Sequence, residues 1–246
     1  MGTYLGQNFL TDSKIRNWIA DKTRELFMKT QASSLIEIGP GKGSITKLIK
    51  DITSHFCVIE KDKTLISTLE TILPSEQIII GDVLIHSFSA LHQAFIVGNL
   101  PYYITSPILS KVVQNEVLGG LFMIQHEVGE KIKSDAIKKS YLYWLLNYSY
   151  EVKYLKTVPP KAFNPPPKVK SCLISLIKKT KKPDFDYVQM TKFLDLYAPF
   201  ARKTLSSSTK IIAKTQPSIY FFIPSSLHKK RLEELSRDDL SIILQS

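Results

Sequence analysis

Cysteine is nearly missing: 246 residues hold only Cys57 and Cys172, with no Cys-x-x-Cys pair and no Cys/His cluster. Each cysteine sits in an apolar run, Phe56-Cys57-Val58-Ile59 or Cys172-Leu173-Ile174, and is expected as a small buried hydrophobe. The five histidines (His55, His86, His92, His126 and His228) are scattered, so no zinc or other metal site is expected. Long apolar runs are absent too, none approaching the ~20 residues that span a bilayer. The opening Met1-Gly2-Thr3-Tyr4-Leu5 lacks the charged start and apolar stretch of a signal peptide. These absences lead to the expectation of a soluble, reduced, cytoplasmic protein. Acidic charge is also short, with 22 Asp and Glu against 33 Lys and Arg, a formal charge of +11. That excess favours a polyanionic partner, either nucleic acid or an anionic membrane surface; the plainer reading is a Lys-rich solvated surface.

What is present is an alternation. From Leu35 onward, short β-branched runs (Leu35–Ile38, Phe56–Ile59, Ile78–Ile80, Phe95–Val97 and Leu121–Ile124) have the length and composition of buried parallel strands. Ile45, Leu48, Ile49 and Ile52 form an amphipathic helical stripe after the first run, and Leu65, Ile66, Leu69, Ile72 and Leu73 form another after the second. Strand and helix at this spacing predict a doubly wound, mostly parallel α/β sheet. Val152–Val158 and Ser171–Ile177 are joined by a Pro-rich stretch too short for a crossover helix, which predicts antiparallel neighbours finishing the sheet. Lys178-Lys179-Thr180-Lys181-Lys182-Pro183 reads as a linker. Beyond it, Phe193, Leu194, Leu196, Tyr197 and Phe200 predict a helix, and Leu227 to Leu244 one or two more, with Ser206-Ser207-Ser208 a polar spacer or cap. The expected division is a Rossmann-like domain over 1–181 and a small helical domain over 182–246.

Glu37-Ile38-Gly39-Pro40-Gly41-Lys42-Gly43 falls between the first strand and the first helical stripe. Glycines there allow a sharp turn and close approach of a ligand to the backbone. The spacing is neither the dinucleotide fingerprint nor a Walker phosphate loop, which points to a nucleoside lacking a diphosphate. Glu60, ending the second strand 21 residues after Gly39, is placed to accept two ribose hydroxyls; alone it reads equally as a solvated strand end. Asp82, after the third strand, is placed to receive an adenine amine.

The fourth strand runs into Gly98-Asn99-Leu100-Pro101-Tyr102-Tyr103. An adenine amine is a poor nucleophile because its lone pair is delocalised into the ring, so methylating it needs acceptors that hold its N–H groups. The Asn99 side-chain oxygen and the carbonyl of Leu100 suit that task, with Pro101 fixing the backbone and Tyr102 stacking on a splayed-out base. An Asn-Pro turn capping a strand would explain the turn but not the aromatic beside it.

Asn99-Leu100-Pro101-Tyr102 resembles the catalytic motif of amino-methyltransferases. Together with Gly6-Gln7-Asn8-Phe9-Leu10, the Glu37–Gly43 loop and Phe163-x-Pro-Pro-Pro-Lys-Val169, it resembles the ribosomal RNA adenine N6,N6-dimethyltransferases of the KsgA/RsmA type, in order from about Gly6 to Ile177 and more weakly through Phe200-Ala-Arg-Lys-Thr204. The resemblance implies a class I methyltransferase fold with a helical RNA-docking domain, and S-adenosylmethionine as cofactor. It implies that Asn8, Leu10, Gly39, Glu60, Asp82 and Asn99 contact that cofactor, that Asn99 and Leu100 hold the target amine, and that Tyr102 and Phe163 stack on the target adenine. It further implies a monomer acting on two adjacent adenines near the 3′ end of small-subunit ribosomal RNA, within an immature subunit. Two departures stand out: Ala201 replaces one of two usual arginines, leaving Arg202 and Lys203, and Tyr141-Leu142 stands where Tyr-Gly is usual.

Lys168 and Lys170, with Lys178, Lys179, Lys181 and Lys182, flank the Pro-rich loop and linker, and Lys229-Lys230-Arg231 lies in the tail. Singly each is a solvated lysine; collectively they are expected to meet phosphates. Three rivals compete with the small-subunit reading. They are an erythromycin-resistance-type enzyme acting on large-subunit RNA, a non-catalytic RNA-binding assembly or transcription factor on the same scaffold, and a DNA adenine methyltransferase. The triple proline before Lys168 and the spelling of the Asn99 motif favour the small-subunit enzyme. The intact Glu60, Asp82 and Asn99–Tyr102 set argues against a binding-only protein, and nothing resembles a sequence-reading DNA module.

Overall fold

The computed structural model of the chain describes residues 8–85, 93–181, 183–216 and 221–245. Gly6, Gln7, His86, His92 and Lys182, singled out above, lie outside the described residues. The chain divides into two compact units. One comprises Met1–Glu130 with Tyr150–Lys178, the other Lys131–Ser149 with Lys179–Ser246. The second is therefore not a linear tail. Its break falls at Lys178/Lys179 rather than 181/182, and it takes in a segment from the middle of the expected first domain.

The first unit begins with β1 (Phe9–Leu10) and α1 (Ser13–Thr30). No helix was expected over α1, although Ile15, Ile19, Ala20, Thr23, Leu26 and Phe27 form a continuous buried stripe. The Asp12 carboxylate caps it by accepting from the Ile15 N–H at 3.0 Å, and Gln31 ends it in the left-handed region. Then come β2 (Ser34–Ile38), α2 (Thr46–Ile49), β3 (Phe56–Glu60), α3 (Ile66–Leu69), β4 (Ile78–Ile80), β5 (Ala94–Asn99), α4 (Thr105–Gln114), β6 (Gly119–Gln125) and α5 (His126–Ile132), and, after α6 (Tyr141–Ser149) of the second unit, β7 (Tyr150–Val158), β8 (Phe163–Asn164) and β9 (Ser171–Lys178). Seven strands form one sheet in the order β4-β3-β2-β5-β6-β9-β7, and β9 alone runs against the other six. The expected antiparallel pair is thus present, with the later strand inserted between β6 and β7.

All five predicted parallel strands form, but β4 is not buried: it is the sheet edge, and Ile80 is exposed. Cys57 is half-buried, whereas Cys172 is buried as expected. The two anticipated helices are shorter than their stripes. Gly41 and Gly43 hold positive φ and keep the chain out of helix until Ile45, so α2 is one turn. Ahead of α3 the Asp62 side chain caps a 3-10 turn over Lys63–Leu65, and the Thr71-Ile72-Leu73-Pro74 run ends the helix early. Leu35, Val58, Phe95, Val97, Leu121 and Leu173 form the core of this unit with Leu26 and Phe27 of α1.

The second unit packs α6 with α7 (Tyr187–Tyr197), α8 (Leu205–Thr215) and α9 (Arg237–Gln245) around Trp144, Tyr148, Met190, Phe193, Leu205 and Leu240. The Ser206–Ser208 triplet is no spacer: it is the first turn of α8, capped by Thr204, whose hydroxyl accepts from the Ser207 N–H.

Candidate active site

Within the first unit a cavity of about 310 Å³ opens at the carboxyl ends of β2, β3, β4 and β5. Gly39, Gly41 and Gly43 carry φ of 64°, 58° and 72°, which side-chain-bearing residues rarely adopt. At Gly39 nothing lies within 4 Å of where a Cβ would be, so the bare backbone faces open space on the cavity wall. The Glu60 carboxylate braces this loop. One oxygen accepts from the Gly41 N–H at 3.1 Å, the other from the Asp62 N–H at 2.8 Å, leaving further lone pairs on both.

Asp82 enters from the end of β4. Its carboxylate accepts from the Leu84 N–H and from the Lys61 ammonium, each at 2.9 Å, and these two donors hold its pKa below the usual carboxylate range. Glu37 adds a third carboxylate. It is 2% exposed, accepts from the Thr46 hydroxyl at 2.6 Å and lines the cavity. Desolvation raises its pKa to about 7, against the lowering effect of the Thr46 hydrogen bond and with added repulsion from Glu60.

The Asn99–Tyr102 loop closes another wall. The Asn99 side-chain amide donates to the Asn8 carbonyl at 3.2 Å, which leaves its oxygen without a donor among the described residues; the Leu100 carbonyl likewise accepts from none of them. Leu100 itself is buried, and its N–H is fixed on the Met123 carbonyl. Pro101 opens a 3-10 turn over Tyr102–Ile104, which α4 extends. Tyr102 is half-buried with its hydroxyl 2.7 Å from that of Ser171, while Tyr103 is exposed on the cavity rim.

Residues 8–10 strap these parts together. Asn8 meets Asn99, the Phe9 ring lies against Gly41 beneath the Lys42 ammonium, and Leu10 pairs with Phe163 in the two-stranded β1–β8 sheet. Asn8, Leu10, Gly39, Glu60, Asp82, Asn99, Leu100, Pro101, Tyr102 and Phe163 all line the one cavity. Phe163 does so as a member of the core, 4% exposed.

The basic residues are not gathered in the same way. Lys168 and Lys170 are exposed just before β9, and Arg202 and Lys203 are exposed between a 3-10 turn (Ala198–Phe200) and α8 of the second unit. Lys178 is spent on Glu116 at 3.5 Å, and Lys230 on Asp239 at 2.6 Å, so neither is a loose cation. The residues that the sequence reading missed are Glu37, Lys61 and Ser171. Glu37 had a signal, a carboxylate inside an otherwise apolar strand; Lys61 and Ser171 had none, because their partners are 21 and 69 positions away.

A family model described as Ribosomal RNA adenine dimethylase matches residues 2–245. The Ribosomal RNA small subunit methyltransferase A of Chlorobium phaeobacteroides is 35% identical over 96% of this chain and 87% of its own length. Those of Hydrogenobaculum sp. and Mycoplasmopsis pulmonis are 31% and 30% identical, over 97% and 95% of this chain and 90% and 94% of theirs. Among solved structures, a dimethyladenosine transferase from Plasmodium falciparum superposes with a TM-score of 0.75 at 20% identity, covering 96% of both chains. The 23S rRNA methyltransferase ErmE superposes at 0.68 and 19%, covering 97% of this chain and 98% of its own; both likenesses establish the class I methyltransferase fold. With a family match that spans almost its whole length, the chain belongs to the ribosomal RNA adenine dimethylases.

Proposed function

We propose that this protein transfers methyl groups from S-adenosylmethionine to the exocyclic N6 of two adjacent adenines near the 3′ end of small-subunit ribosomal RNA, giving N6,N6-dimethyladenosine. It would act as a cytoplasmic monomer on an immature small subunit. The observation that carries this reading is a pair of oxygens that accept from no donor among the described residues, Asn99 Oδ1 and the Leu100 carbonyl, beside the half-buried Tyr102 ring on the wall of a carboxylate-lined cavity.

The cavity suits the cofactor on chemical grounds: an open glycine backbone at Gly39, and carboxylates at Glu37, Glu60 and Asp82 to meet hydroxyls, an amine and positive charge. S-adenosylmethionine, when bound, would supply an electrophilic methyl on sulfur; in each transfer the carbon–nitrogen bond would form as the sulfur–carbon bond breaks, with sulfur keeping the bonding pair as a neutral thioether and the nitrogen's proton passing to water. Glu60 accepts from the ribose hydroxyls with the lone pairs that Gly41 and Asp62 leave free. Asp82 accepts the cofactor's adenine amine beside Lys61. Asn99 and Leu100 hold the target N–H groups so that the nitrogen lone pair turns out of the ring, and Tyr102 fixes the plane of the target base. Positioning and electrostatics then do the work. Arg202, Lys203, Lys168 and Lys170 meet RNA phosphates.

The names of the curated relatives favour small-subunit RNA over the large-subunit alternative. Nucleoside mapping of ribosomal RNA from cells with and without the gene tests the reading. Loss of paired dimethyladenosines from small-subunit RNA is expected; unchanged small-subunit RNA, or loss from large-subunit RNA, would contradict it.

A further inference from the structure

Tyr102 is tethered at both ends. Its backbone leaves the Pro101 turn, where the Pro101 carbonyl takes the Ile104 N–H at 3.1 Å and the Thr105 hydroxyl at 3.1 Å. Its far end meets the Ser171 hydroxyl at 2.7 Å. Ser171 is a firm anchor: it is fully buried, it opens β9, and it is paired with Gln125 on one side and Val158 on the other. The neighbouring Lys170 carbonyl is held by the His126 N–H at 3.0 Å, which fixes the entry to β9 as well. A ring pinned at its Cα and at its hydroxyl cannot swing about χ1 without breaking a hydrogen bond inside a partly desolvated pocket.

We propose that Ser171 is a positioning residue that sets the plane of the Tyr102 ring through this hydroxyl pair, and that the plane matters most for the second methyl transfer. The inference rests on the function proposed above. Its reason lies in the amine. Before the first transfer the target nitrogen has two N–H groups for two acceptors, Asn99 Oδ1 and the Leu100 carbonyl. After it, one N–H remains and a methyl group must be turned aside. Hydrogen bonding then orients the base less, and stacking on a fixed ring orients it more.

Single-turnover methylation of immature small-subunit particles, with mono- and dimethyladenosine quantified, tests this. Ser171→Ala and Tyr102→Phe each remove one hydroxyl of the pair and should each slow the second transfer about three- to tenfold, the range of one neutral hydrogen bond. In Ser171→Ala, whose side chain lies outside the cavity wall, the first transfer and cofactor affinity should change less than twofold, so monomethyl product accumulates. The double variant should be no worse than either single one, because both break the same contact. Ser171→Thr, which keeps the hydroxyl, should restore the parent's product ratio. The idea is overturned if both single variants keep that ratio, if their losses multiply, or if Ser171→Ala weakens cofactor binding as much as turnover. A parent protein that methylates no adenine would instead sink the proposed function, an outcome separable from all of these.

Discussion

Two side chains in the cavity make the account testable residue by residue. Besides its expected contact with the cofactor, Asn99 is assigned the target amine, held by an oxygen whose partner nitrogen is already committed to Asn8. Asn99→Ala should therefore lower turnover by about 10²–10³, the usual cost of losing one aimed polar group in a transition state, while RNA affinity stays within a few-fold. Turnover measured beside filter binding checks this; retained turnover would remove Asn99 from the chemistry. Glu37 makes a prediction about pH. Desolvation raises its carboxyl to about 7 in the folded chain against an ordinary 4.5. The folded state thus binds this proton more tightly than the unfolded one, and stability falls as pH climbs from about 4.5 to about 7, by on the order of 3 kcal/mol in all. Glu37→Gln keeps an acceptor for the Thr46 hydroxyl and removes the titration. The difference in Tm between variant and parent should move in the variant's favour from pH 5 to pH 8; a difference that does not vary with pH would contradict the burial argument.

At the scale of elements, α8 depends on a side-chain cap. Thr204 accepts from the Ser207 N–H, and Thr204→Ala should cost about 1 kcal/mol in chemical denaturation while leaving cofactor affinity unchanged. A loss of cofactor binding equal to the loss of stability would show that the unit is not an independent docking element. Which elements the sequence disclosed follows from how local their causes are. The parallel strands β2, β3, β5 and β6 announced themselves because burial on both faces demands a continuous apolar run, and the Pro-rich joint between β7 and β9 excluded a crossover helix. The helices were less legible. Positive-φ glycines shortened α2, and the stripe of α1 lay in a segment with no strand to frame it. That α6 joins the second unit depends on which core its Trp144 and Tyr148 enter, a non-local choice. The site divides in the same way. Glu60, Asp82 and Asn99 could be placed because parallel strands deliver their last residues to one edge, whereas the Ser171–Tyr102 tether and the Asn8–Asn99 bond join distant positions that no spacing rule connects.

For the whole molecule, the +11 charge is the long-range feature; it is the excess that remains after pairs such as Lys178–Glu116 and Lys230–Asp239 cancel. The exposed Arg202 and Lys203 are the cations assigned to RNA docking, and their joint replacement by alanine should weaken RNA binding with cofactor affinity unchanged. Contacts to about 4 phosphates predict a log–log salt slope of RNA binding near −3 to −4, reduced by about 2 in that variant. A slope near zero in the parent would separate the charge from the function. The central claim is that two oxygens and an aromatic ring present an adenine amine to a methyl donor, and incubation of purified protein with labelled S-adenosylmethionine and immature small ribosomal subunits tests it most directly. Digestion of the RNA to nucleosides should place the label on N6,N6-dimethyladenosine from the small-subunit RNA. Label only on nucleosides other than N6-methylated adenosines, or none on adenine, would contradict it.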